Sequence, residues 1–97
     1  MTRTIEIKNY TVTFYGYEGN NYYIEAFSER LLRALEHGYE CFVSGKFVYL
    51  IENEWFGRYI VTKYLKSDCT EYPTGWLIDD RALRYASQLV ARVEVRQ

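Results

Sequence analysis

The sequence predicts an α+β domain over residues 1–97, a mostly antiparallel sheet of about five strands with two helices in the order ββ-α-βββ-α. Three observations carry this. Short apolar segments alternate with polar residues, or run rich in Val, Ile, Tyr and Phe, near the N-terminus and through the middle of the chain. Two segments carry helix-start chemistry, at Ser28 and at Asp79. The connections between them are too short for parallel crossovers, so neighbouring strands should be antiparallel.

The first segment, "TIEIKNYTVTF", places Ile5 and Ile7 in one phase and Tyr10, Val12 and Phe14 in the other. A bulge or tight turn at Lys8-Asn9 would absorb the slip. After "EGNN" comes "YYIEAF", readable as a strand that returns on the first. Helix is expected over about residues 29–37, with Ser28 as N-cap, Leu31, Leu32 and Leu35 as its apolar stripe, and Gly38 at C′. Phe27 and Leu32 fit a hydrophobic staple. A competing reading starts this helix at Tyr22, because Ile24, Phe27, Leu31 and Leu35 also keep a helical period. The two β-favouring tyrosines and the Ser28 cap weigh against it.

Three strands follow, "YECFVS", "FVYLIEN" and "WFGRYIVTKYL", with turns at Gly45-Lys46 and at Asn53-Glu54. "KSDCTEYPTG", which holds the single proline, Pro73, reads as a surface loop. A second helix is expected from Asp79, with an Ile78–Leu83 staple and Leu83, Ala86, Val90 and Val93 on one face. The tail "VEVRQ" either frays or adds a short strand.

Composition narrows the function classes. Hydrophobic residues make up 48% and charged residues 26%, the balance of a globular chain. Neither a secretory apolar run nor a membrane-length segment is visible, so a soluble, cytoplasmic protein is expected. The formal net charge of −1 gives no general attraction to nucleic acid or anionic lipid. The two cysteines, Cys41 and Cys69, form no CxxC pair, and the single histidine, His37, leaves no Cys/His zinc set. Cys41 sits in an apolar run, as a buried small hydrophobe would.

Catalytic constellations are weak. Cys69 lies in the polar stretch "SDCTEY", but a reactive thiolate needs a cationic or imidazole neighbour, and His37 belongs to a distant helix end. Glu52 with Glu54, Asp79 with Asp80, and Asp68 with Glu71 lack a phosphate loop, a DxD spacing or an EF-hand spacing. No catalytic residue, metal or cofactor is therefore expected. From residue 28 onward the order α-βββ-α resembles that of the double-stranded RNA-binding domain. That resemblance implies a lysine cluster opening the second helix, where this chain has "DDRAL", so direct nucleic-acid binding is not expected.

Aromatic content is the outlier, at 19% with 11 Tyr. It concentrates in "FYGYEGNNYY", residues 14–23. If "EGNN" is a hairpin loop, Tyr17 pairs with Tyr22, Tyr15 with Ile24, Thr13 with Ala26 and Val12 with Phe27. Phe14 and Tyr23 then face the core, while Tyr15, Tyr17, Tyr22 and Ile24 crowd one end of the other face. Either another element covers this cluster, or it is an open patch of the kind that anchors protein partners. The candidate contact set is Tyr15, Tyr17, Glu18, Asn20, Tyr22 and Ile24, with Tyr72 held outward before Pro73. Trp76 fits a core anchor or a contact residue equally well.

The expected function is accordingly non-catalytic protein binding through a tyrosine-rich surface. In size and composition the chain is similar to the small phage- and mobile-element-encoded inhibitors of bacterial defence systems, including anti-CRISPR proteins. That similarity implies a steric block of a nucleic-acid-handling complex, with Glu18, Glu25, Glu52 and Glu54 facing a basic groove. A nucleic-acid-binding module, a host adaptor and a homodimer remain as alternatives, with a small enzyme last.

Overall fold

The computed structural model describes residues 2–16, 21–85 and 88–96. Tyr17, Glu18 and Asn20 of the expected contact set, and Ala86 of the expected second helix, lie outside the described residues. Strands β1 (Thr2–Ile7) and β2 (Tyr10–Tyr15) form an antiparallel hairpin. The phase slip at Lys8-Asn9 is its tight turn, with Lys8 at φ 52°.

The segment expected to pair with β2 is instead helical. Helix α1 runs Asn21–Glu36, so the pairings of Tyr15 with Ile24, Thr13 with Ala26 and Val12 with Phe27 do not exist, and Tyr22, expected in a strand, is helical. Partners of β2 are β1 on one side and the last strand on the other. The cause is burial: one continuous helix seats Ile24, Phe27, Leu31 and Ala34 together on the sheet, which outweighs the strand preference of two tyrosines. Ser28 is no cap. It is buried in mid-helix, and its hydroxyl donates to the Ile24 carbonyl at 2.8 Å. The expected Phe27–Leu32 staple disappears with it.

At the other end of α1 the expectation holds. Gly38, at φ 72°, receives the chain, Gly38 N donates to Leu35 O at 3.2 Å, and Tyr39 N donates to Ala34 O at 2.9 Å. This stop aims the chain into β3 (Cys41–Ser44), β4 (Phe47–Trp55) and β5 (Arg58–Leu65), an antiparallel meander. The Gly45-Lys46 turn is found where expected. The turn between β4 and β5 falls not at Asn53-Glu54 but at Phe56-Gly57, and the ladder shifts register between Asn53 and Trp55.

Beyond β5 the presumed loop is ordered. A 3₁₀ turn at Lys66–Asp68 leads into a second small hairpin, β6 (Cys69–Tyr72) and β7 (Gly75–Ile78). Helix α2 is short, Asp80–Tyr85, and the chain closes with strand β8 (Gln88–Val95). Val90 and Val93 thus belong to a strand rather than to a helix face. β8 lies in the middle of a 6-stranded sheet of order β1-β2-β8-β5-β4-β3, with β6 and β7 as a separate 2-stranded sheet. The last strand is required there, since it joins the N-terminal hairpin to the β3–β5 meander.

One sheet face carries α1. Its core joins Val12 and Phe14 of β2, Tyr49 and Ile51 of β4, Val61 of β5, and Ala91 and Val93 of β8 to the helix stripe. Ile24, expected on an open patch, is only 6% exposed. Ile24→Ala should therefore cost about 2–4 kcal/mol, with α1 retained. A urea midpoint unchanged from wild type would instead place Ile24 at the surface.

The opposite face divides in two. On the β4–β5 side, where Val48 and Tyr64 are buried, α2 packs against β5 and buries Ala82. Across β1, β2 and β8 it is polar and cross-linked strand to strand. Thr4 and Thr13 share a hydrogen bond, Arg58 pairs with Glu94, Arg92 with Glu54 and Arg96 with Glu6, and Arg96 Nε donates to Thr11 Oγ1. Thr11 and Thr13 thus meet solvent, as expected.

Candidate functional site

The described members of the expected tyrosine patch are dispersed. Tyr15 is half-buried at the end of β2, opposite Thr2. Tyr22 stands in the first turn of α1 and is 80% exposed, on an element that lies over the other sheet face. Ile24 is core, and Tyr72 projects from β6. Tyr22 and Tyr72 are therefore exposed as expected, but Tyr15, Tyr22 and Ile24 make no single surface.

Among the described residues, the most exposed aromatic pair in ring contact lies elsewhere, at the tip of the β4–β5 hairpin. Trp55 is 65% and Phe56 81% exposed, with ring centroids 4.4 Å apart. Phe56 adopts φ 45° and Gly57 φ 75°. This is the two-residue turn whose twist suits a hairpin, and Asn or Gly usually takes the first of these positions. A bulky side chain there is an outlier costing about 1–2 kcal/mol. Gly57 has a local reason for its identity in its φ of 75°, which glycine adopts without strain, and its carbonyl accepts from Val95 N at 3.0 Å.

A second feature runs along the β3–β4 side of the molecule. The Schellman stop at Gly38 places Tyr39 and Glu40 between two open grooves. The larger, about 780 Å³, lies between this segment and the β6–β7 hairpin and is lined by Tyr39, Glu40, Leu50, Glu71, Tyr72 and Trp76, among others. The smaller, about 370 Å³, continues on the other side of Tyr39 past Glu52, Asn53 and Tyr59. β4 thus links the grooves to the Trp55–Phe56 tip. His37 stacks on Tyr39 at 5.9 Å, with its Nδ1 2.8 Å from the Arg33 carbonyl. That oxygen only accepts, so Nδ1 carries the proton and the ring is a fixed backing for Tyr39. Lys66 Nζ lies 5.7 Å over the Trp76 ring.

The sequence-level candidates for chemistry are separated by their surroundings. Cys69 donates to the Leu65 carbonyl at 3.3 Å, and burial, together with Asp79, Asp68 and Cys41, pushes its thiol up from the ordinary value. It is held as a thiol, opposite to what a nucleophile needs. Asp68 pairs with Arg81, Glu54 with Arg92, and the Asp79 carboxylate accepts from the Thr70 hydroxyl at 3.5 Å. Burial also pushes the Tyr64 phenol up, helped by Glu52 and Cys69.

The two raised values make a pH prediction. A group whose folded-state pKa is raised keeps its proton longer in the folded chain, so the unfolded chain releases protons first as pH rises. Stability contributed by Cys69 and Tyr64 should be intact below about pH 8.5 and fall as pH climbs past the ordinary tyrosine value near 10. Urea midpoints should show it, and the Cys69→Ser variant should lose the lower part of the decline. A midpoint that rises across this range would contradict it.

Comparison of the chain with protein-family models, with characterised proteins and with solved structures returns no match.

Proposed function

We propose that this chain is a non-catalytic protein-binding protein whose contact with its partner centres on Trp55 and Phe56. The observation that supports it is the hairpin tip itself, where two large rings are displayed to solvent and one is held in a backbone conformation that a glycine would occupy without strain. Neither ring contributes to the core cluster. Burying their exposed parts in a partner would release on the order of 5 kcal/mol before association costs. Trp and its aromatic neighbours are the usual anchors of protein interfaces.

A single domain of this size acts by occupying surface. The mode we propose is therefore steric: the tip anchors the chain on a partner's working face, as expected for a small inhibitor of a defence complex. The test is affinity capture from the native host with wild type, with the Trp55→Ala/Phe56→Gly double variant, and with Tyr22→Ala. The partner should be lost with the double variant and kept with Tyr22→Ala. Retention by the double variant together with loss on Tyr22→Ala would move the site to the start of α1 and overturn this reading.

A further inference from the structure

We infer that the two grooves flanking Tyr39 receive an extended, arginine-bearing segment of the partner protein. The inference rests on the protein-binding reading above and adds the chemistry of the partner. The grooves are walled by Tyr39, Tyr59, Tyr72 and Trp76 and carry Glu40, Glu52 and Glu71, with no basic residue among the lining. Elsewhere on the surface, Glu6, Glu36, Glu54, Glu94 and Asp68 each pair with Lys or Arg, whereas Glu25, Glu29, Asp79 and Asp80, among the described residues, form no such pair. Glu40, Glu52 and Glu71 also have no such partner, and they differ from the other unpaired carboxylates in lining the grooves beside aromatic rings.

Uncompensated carboxylates beside aromatic faces are complementary to guanidinium. Arginine is planar, accepts stacking on Tyr or Trp, and forms bidentate pairs with carboxylate. One of these rings already has a cation near it, since the Lys66 ammonium lies 5.7 Å over Trp76. Two grooves in series, divided by the Gly38–Glu40 segment, suit an extended chain with basic side chains on either side of that segment. A single small cation would use only one of them.

The experiment uses the full chain and a short peptide carrying two arginines, observed by amide and indole NMR shifts. The same peptide with citrulline in place of arginine keeps the shape and removes the charge. The arginine peptide should shift Tyr39, Glu40, Tyr72 and the Trp76 indole. Citrulline replacement, and separately the Glu40→Gln/Glu71→Gln variant, should each weaken binding at least about tenfold. Binding should also weaken as salt is raised. Equal shifts with the citrulline peptide, no shifts at all, or full binding by the Gln variant would overturn the inference. Concentration-dependent shifts of the same residues without peptide would do so too, because they would mark a second copy as the occupant. The Trp55→Ala/Phe56→Gly variant should bind the peptide as wild type does. Lost partner capture with intact peptide binding, or the reverse, therefore tells failure of one reading from failure of the other.

Discussion

Phe27→Ala is expected to lose about 3–5 kcal/mol, a large share of the roughly 5–15 kcal/mol that holds a domain of this kind together. Phe27 is 5% exposed and touches three other rings, Phe14 at 5.6 Å, Phe42 at 6.0 Å and Tyr49 at 4.9 Å. Those partners come from β2, β3 and β4, so a single helix side chain ties both halves of the sheet to α1. Removing it leaves a cavity that stiff strands cannot close, and the lost ring contacts add to the lost burial. Phe27→Leu keeps much of the volume and should cost closer to about 1.5 kcal/mol. Urea unfolding at unchanged slope measures both. A cost for Phe27→Ala near that of an average surface change would mean that α1 does not seat on the sheet in this way.

The same residue shows how far the sequence could be read. Phe27 is core whether Tyr22–Phe27 forms a strand or a helix, so its burial was legible while its element was not. Local propensity favoured the strand: two tyrosines, then a serine with the look of a cap. The deciding term was nonlocal, because the slot that "YYIEAF" would have filled beside β2 belongs to β8, which arrives some 70 residues later in the chain. The C-terminus erred for the matching reason. Leu83, Val90 and Val93 satisfy a helical spacing, yet "ARVEVR" also alternates, and the vacancy between β2 and β5 selects the strand. Where local chemistry alone decides, at the Gly38 stop and the Gly45-Lys46 turn, expectation and structure agree.

The candidate site was the least legible part for a physical reason of its own. Asn53-Glu54 has the composition of a turn, and Trp55-Phe56 has the composition of a buried strand. The structure inverts this: the polar pair lies in the strand at a register shift, and the aromatic pair forms the tip. The available signal was Gly57, which takes a positive φ without penalty and marks the true turn three positions later. Conflicts between local chemistry and fold of this kind are expected at functional or strained positions. The Tyr72–Pro73 exposure, by contrast, was readable because the residue before proline is held extended.

That conflict makes Phe56→Gly the sharpest test of function, because its effects on stability and on binding should have opposite signs. Relief of the left-handed strain is worth about 1–2 kcal/mol, offset by roughly 0.5–1 kcal/mol for the greater freedom of glycine in the unfolded chain. The variant should therefore be as stable as wild type or up to about 1 kcal/mol more so. Trp55→Ala should stay within about 0.5 kcal/mol, since the exposed ring packs chiefly on Phe56. Binding should move the other way. Each ring, as an interface anchor, is worth about 2 kcal/mol or more, so either change should weaken the captured partner at least about thirtyfold, chiefly through faster dissociation. Phe56→Asn separates strain from ring chemistry, because asparagine tolerates the same φ but offers no aromatic surface, and it should follow glycine in both measurements. If Phe56→Gly lowered stability by more than about 1 kcal/mol, the ring would be supporting the hairpin, and the case for a binding tip would fail with it.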